Sequence, residues 1–258
     1  DVYKRQALGF AGGFPGKFIS KTLEESKIHT DFIEVDEDTR INVKLKSGQE
    51  TEINAPGPKV TQEQFQALIT QIKNTTSEDT VIVAGSVPNS IPSDAYAQIA
   101  EITKNTGAKL VVDAEKDLVD TVLPYRPLFI KPNKDELEVM FNTTVSSDHD
   151  VVKYGKEILK KGAQSVIISL GGDGAIYVDE HQSIKAVNPQ GKVINTVGSG
   201  DSTVAGMVAG LESGLSIQDA FKQAVASGTA TAFEEDLATR DAIEKIKSQV
   251  TVSVLDGE

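Results

Sequence analysis

The run NTVGSGDSTVAG at 195–206 carries the residues best suited to chemistry. Gly198 and Gly200 permit a tight turn, and the small residues from Ser202 onward favour a helix, so the amides of 198–201 fall at a helix N-terminus. Unpaired N–H groups and the positive end of the helix dipole suit a developing anion. Asp201, in the same turn, could take a proton from an incoming hydroxyl while the amides hold a transferring phosphoryl group. Capping the helix is the competing use of that carboxylate.

A second group lies in IKPNKDELEVMF, 130–141. Lys131 ends a strand and Pro132 fits a strand-to-helix corner. Asn133 and Glu136 are three apart on the first helical turn, hence on one face. A hard magnesium ion wants oxygen ligands, usually one or two carboxylates with waters and phosphates, but the same pair would serve equally as a capping box. Ser169 and Gly171 follow another strand and offer hydroxyl and backbone contacts. Arg40 could clamp a phosphate. His29, His149 and His181 lack metal-ligand spacing and read as solvated surface residues.

These residues need a frame, and the chain supplies one. TVIVAG (80–85), KLVVDA (109–114), LFIKP (128–132) and SVIISLGG (165–172) are short apolar, β-branched runs separated by helical spacing at 92–105 and 151–161. That pattern predicts a parallel sheet covered on both faces, with the candidate residues at the carboxyl ends of its strands, where open α/β sheets bind ligands. Residues 32–54 alternate polar and apolar with a turn at Ser47-Gly48, predicting a small antiparallel ribbon. Thr61 and Gln64 are spaced as a capping box opening a helix. The small-residue runs 199–212 and 217–232 predict closely packed helices.

Composition narrows the function classes. The 258 residues carry a net charge of −12, which disfavours nonspecific attraction to nucleic acid or anionic membranes. Anionic small ligands stay open, because backbone amides and a few cations act locally. With no cysteine there is no disulfide, thiolate nucleophile or cysteine-ligated metal. No apolar run approaches the roughly 20 residues of a membrane span.

The glycines near the start, ALGFAGGFPGKF at 7–18, imitate a phosphate loop. A Walker loop needs glycine where Ala11 stands and a hydroxyl where Phe18 stands. The dinucleotide fingerprint fails at Ala11 as well. The expectation is a strand from Ala7 to Ala11 turning through Gly12 and Gly13 into a helix with Pro15 in its first turn, Lys17 being solvated.

Taken in order, VAGSVP, VVDA, KPNKDE and NTVGSGDSTVAG resemble the PfkB group of ribokinase-like sugar kinases, from about residue 7 to the C-terminus. Within the group, DTRINVKL, TEINAPGP and NTVGSGDS are most similar to the branch that phosphorylates fructose 1-phosphate, with tagatose-6-phosphate kinases as near relatives. The resemblance implies a three-layer α/β/α sandwich with a mainly parallel sheet and a small β lid at about 32–58. It implies ATP and Mg2+, and phosphoryl transfer to the C6 hydroxyl of fructose 1-phosphate. By position, Asp201 would be the general base and Gly198, Ser199 and Gly200 the anion hole. Asn133 and Glu136 would organise magnesium, partly through water, and Lys131 would contact the transferring phosphate. Ser169, Gly171 and the segment from Ala224 to Gly228 would line the ATP site; Arg40 would hold the sugar phosphate with Ser86 nearby. A phosphosugar and ATP are thus the expected partners, with no nucleic acid or membrane, a homodimer through the lid, and a cytoplasmic location. Asn195 stands where many relatives have aspartate, which leaves a monovalent-cation site beside the loop unsupported. The N-P-S-x-D and G-G-K-G-x-N motifs of the group's start are absent, and DVYKRQ resembles the translation of a sequencing-library transposon end. The expectation is therefore a non-native segment 1–6 followed by one kinase domain, 7–258, lacking its first strand and sugar-binding motifs. A non-catalytic nucleotide-binding fragment is the competing expectation.

Overall fold

The computed structural model describes residues 5–47 and 49–255. Its contacts divide the chain into two compact units, Asp1–Thr76 with Ser86–Thr106, and Ser77–Gly85 with Gly107–Glu258.

In the first unit, β1 (Gln6–Ala11), α1 (Gly13–Glu25) and β2 (His29–Glu34) form a βαβ motif with parallel strands, Phe10 opposite Ile33. The opening glycines serve backbone approach. The Gly12 N–H donates to Thr39 Oγ1 and the Thr39 N–H to Gly12 O, each at 3.0 Å. A Cβ on Gly12 would lie 2.2 Å from the Glu37 carbonyl oxygen, so only glycine lets this loop cross the turn. Lys17 is exposed, as expected. The antiparallel ribbon is β3 (Val43–Ser47) with β4 (Gln49–Ile53), Val43 opposite Ile53. It is shorter than the expected 32–54, because 32–34 belong to β2. A half-buried parallel strand alternates in polarity just as a ribbon strand does. The expected Ser47-Gly48 turn runs into Gly48, outside the described residues. Helix α2 (Gln62–Lys73) opens on the anticipated capping box, with the Gln64 N–H donating to Thr61 Oγ1 and the Thr61 N–H to Gln64 Oε1. It packs against α3 (Ala95–Thr106).

The second unit is built on seven strands: β5 (Thr80–Ala84), β6 (Lys109–Asp113), β7 (Phe129–Ile130), β8 (Ser165–Ser169), β9 (Ala175–Asp179), β10 (Ser183–Val187) and β11 (Thr251–Leu255). They lie in the order β11-β10-β9-β8-β7-β6-β5. β5 to β8 run parallel, and β9, β10 and β11 are joined antiparallel. The helices are α4 (Lys116–Val122), α5 (Lys134–Phe141), α6 (Asp148–Lys161), α7 (Ser199–Glu212), α8 (Ile217–Ala232) and α9 (Arg240–Lys247). Val111, Phe129, Ile167 and Ile184 pack with Met207, Phe221 and Val225 of α7 and α8. On the other face Gly155 of α6 sits against Val178 and Ile168. Helices thus cover both faces of the sheet, the mixed α/β layering that the continuous apolar runs imply. Each fully buried Phe or Ile contributes about 1.5–3 kcal/mol of burial. α7 and α8 meet through small residues, Gly206 against Ala224 and Gly210 against Ala220.

Candidate active site

The second unit brings most of the candidate residues to the carboxyl ends of its parallel strands. The register Val112 opposite Ile130 places the ends of β6 and β7 side by side, so Asp113 and Lys131 are neighbours. Lys131 Nζ lies 3.3 Å from Asp113 Oδ1, with only 8% of the lysine side chain and 18% of the aspartate exposed. Burial pushes the Asp113 carboxyl above its ordinary value. Lys131 pulls it back, while the charges of Asp201 and Glu136 add to the rise. Four charged groups from three places in the chain therefore share one field.

Asp201 stands in the first turn of α7 and is exposed. The helix is capped by Gly198, at φ +80°, with no side-chain hydrogen bond, so the capping use of Asp201 is not made here. Among the described residues no protein acceptor takes the amides of Gly200 or Asp201, and Ser199 Oγ is buried without a partner. A Cβ on Gly200 would lie 3.2 Å from Lys131 Nζ. A buried ammonium thus lies beside a turn with two undonated amides, which is an arrangement that suits an anion.

Asn133 and Glu136 form the capping box in full: Asn133 Oδ1 accepts from the Glu136 N–H and Glu136 Oε2 from the Asn133 N–H, both at 2.8 Å. Among the described residues no group of three or more His, Cys, Asp or Glu forms a metal cage. The donors of the cap, Asn133 and Glu136, are oxygen, the ligand type that magnesium takes beside a shell of mostly water and phosphate.

Ser169 ends β8, donates its N–H to Pro132 O at 3.1 Å and bridges to Asn133. Gly171, at φ +60°, is exposed. Its carbonyl accepts from Asn188 Nδ2 at 3.0 Å, and Asn188 Oδ1 accepts from Thr229 Oγ1 at 2.8 Å. Ala224 and Gly228, expected to line a nucleotide, are buried in the α7–α8 contact, where a Cβ on Gly228 would lie 2.2 Å from Thr203 Oγ1. Asn195 Nδ2 donates to Glu235 O at 3.1 Å. A cavity of about 270 Å³ opens beside Gly172, lined by Lys134, Asp148, Lys185 and Asn188 among others. Neither Asp201 nor Lys131 lines it. Arg40 and Ser86 are exposed residues of the first unit, Arg40 in the loop between β2 and β3. Asp113 is the site residue that sequence reasoning passed over. Its one signal was an acidic residue ending the apolar strand KLVVDA.

The family described as pfkB family carbohydrate kinase matches residues 4–243. The chain is 43% identical over 250 residues to the 1-phosphofructokinase of Bacillus subtilis, covering 97% of this chain and 82% of that protein. It is 37% identical to the D-tagatose-1-phosphate kinase of Bacillus licheniformis, covering 96% and 82%. A crystal structure of a Staphylococcus aureus protein provisionally named a phosphofructokinase shares 80% identity with a TM-score of 0.89, over 98% of this chain and 83% of that one. Phosphofructokinase-2 of Escherichia coli in complex with substrates and products shares 28% identity at the same TM-score, over 95% and 81%. With the strand-end cluster and the Gly198–Asp201 loop in one unit, this chain belongs to the pfkB family of carbohydrate kinases, which are phosphotransferases.

Proposed function

We propose that the chain transfers the terminal phosphoryl group of ATP to the C6 hydroxyl of fructose 1-phosphate, giving fructose 1,6-bisphosphate and ADP. The observation that carries the reading is the Lys131 ammonium beside Gly200, in a turn whose Gly200 and Asp201 amides have no acceptor among the described residues, with Asp201 exposed in the same turn. Asp201 takes the proton of the sugar hydroxyl as its oxygen bonds to phosphorus and the bond to the ADP oxygen breaks. Charge that develops on the moving phosphoryl oxygens meets Lys131 and the N–H groups of Gly200 and Asp201, while the Ser199 N–H is held by Thr196 O at 3.2 Å. Asn133 and Glu136 would hold magnesium, partly through water, and the ion would supply charge neutralisation on the phosphates.

Ser169 and Gly171 would border the ATP site, with Ala224 and Gly228 supporting it from the α7–α8 contact. Arg40 would take the sugar phosphate with Ser86 beside it, and the β3–β4 ribbon would serve as a lid and as the contact of a homodimer in the cytoplasm. A ketose with its phosphate on C1 is favoured over tagatose 6-phosphate by the named activities of the Bacillus relatives, which both carry phosphate at that carbon. D-Tagatose 1-phosphate is the second candidate. The test is ADP formation with magnesium and a panel of fructose 1-phosphate, tagatose 1-phosphate and tagatose 6-phosphate. The expected result is turnover greatest on fructose 1-phosphate, abolished in Asp201→Asn while ATP binding persists. Turnover retained in that variant removes Asp201 as base, and silence on the whole panel removes the reading.

A further inference from the structure

We propose that Asp113 is a positioning residue that acts through Lys131, fixing its ammonium at the Gly198–Asp201 loop so that the site tells ATP from ADP. This rests on the phosphoryl-transfer reading above. Lys131 is 8% exposed, and its only ion pair among the described residues is with Asp113. A lysine has four rotatable side-chain bonds, and a nearly buried one left unpaired would be costly. The parallel register of β6 and β7 sets the two residues side by side, and the pair leaves Nζ 3.2 Å from a Cβ position on Gly200.

The carboxylate is kept there at a disadvantage. Burial disfavours its charge, and Asp201 and Glu136 repel it. An apolar residue would serve packing better at such a point. What the carboxylate gives in return is a cation held where the terminal phosphate of ATP would meet the free amides. ADP has no phosphoryl group at that place.

The test is calorimetric titration of the chain with ATP and, separately, ADP, both with magnesium. Four proteins are compared: wild type, Asp113→Asn, Lys131→Met and the double variant. Wild type is expected to favour ATP. Lys131→Met should lose about tenfold of that preference, the size of one charge-assisted hydrogen bond. Asp113→Asn should lose most of the same factor, and the double variant should match Lys131→Met alone. Asp113→Glu keeps the pair but shifts it by one methylene, so it should lower the preference with the fold retained even if Asp113→Asn does not fold.

The proposal is overturned if the aspartate variants lower thermal stability yet keep the wild-type ATP-to-ADP ratio, or if the losses from Asp113→Asn and Lys131→Met add. It is also overturned if wild type does not distinguish the two nucleotides. A wild-type preference that the aspartate variants lose, without turnover on any ketose phosphate, would leave this inference standing and remove only the sugar assignment.

Discussion

Replacing Gly228 with alanine is expected to disturb the loop that carries Asp201 without touching it. The added methyl would lie 2.2 Å from Thr203 Oγ1 and 2.9 Å from Ser199 O. Ordinary contact begins near 3.4 Å, so the difference between 3.4 and 2.2, or 1.2 Å, has to be found somewhere. Thr203 Oγ1 donates to Ser199 O at 2.9 Å, and turning it away leaves a buried hydroxyl unpaired at about 1–3 kcal/mol. Parting α7 from α8 instead costs about 1–3 kcal/mol of overpacking. Removing a glycine from a helix interior returns about 1 kcal/mol. At the middle of either range the balance is a loss of about 1 kcal/mol, or a fall in Tm of about 2–4 °C for a chain of this size. Thermal unfolding measures it, and because Ser199 opens α7, ATP affinity should fall in step. Thr203→Ala removes the nearer oxygen and leaves its Cβ at 3.5 Å, with the Ser199 O contact at 2.9 Å unchanged, so the double variant should regain part of the stability. An unchanged Tm in Gly228→Ala, or a double variant no better than the single, refutes the close-packing account of this position.

Two further changes test the second unit elsewhere. Glu212 accepts from Lys109 Nζ and Thr80 Oγ1 at 2.8 Å each, and these bonds hold its carboxyl below its ordinary value. A depressed folded pKa stabilises above the unfolded value and is lost as pH falls through the folded one. Glu212→Gln should therefore cost about 0.5–1 kcal/mol near neutrality, and the gap in Tm should close in melts taken from about pH 7 down to about pH 3. Ser147 Oγ accepts from the Asp150 N–H to open α6, and Asp150 Oδ2 accepts from the Ser147 N–H in return. Ser147→Ala should cost about 1 kcal/mol, read as a Tm lower by about 2–4 °C.

Much of this arrangement is legible in the string because its signals are local. KLVVD and SVIIS are strands since a run apolar on both sides suits a sheet covered on both faces. Thr61 with Gln64 declares a helix start by spacing alone. Asn133 with Glu136 shows the limit: cap and metal ligand use the same residue types at the same spacing, and only coordinates reveal the cap closed. Asp113 and Lys131 are a pair because two strands lie in a given register, which no local pattern encodes. The alternation at 32–34 misleads about the ribbon because one-sided burial gives period two in either strand type. Gly228 enters through the family resemblance alone, because a small residue has the same letter whether it makes room for a nucleotide or for a neighbouring helix.

The tie between the Gly171 turn and α8 has a mechanical consequence. Gly171 O can only accept, so the Asn188 amide must point its nitrogen there and its oxygen toward Thr229. The Thr229 hydroxyl has one hydrogen, yet Asn188 Oδ1 and Val225 O both lie 2.8 Å from its oxygen. Rotation about a single C–O bond decides whether that hydrogen ties the turn to α8 or closes a bond within the helix, and in the second case the Asn188 and Thr229 oxygens repel at this distance. The tie between turn and helix therefore hangs on the position of one proton.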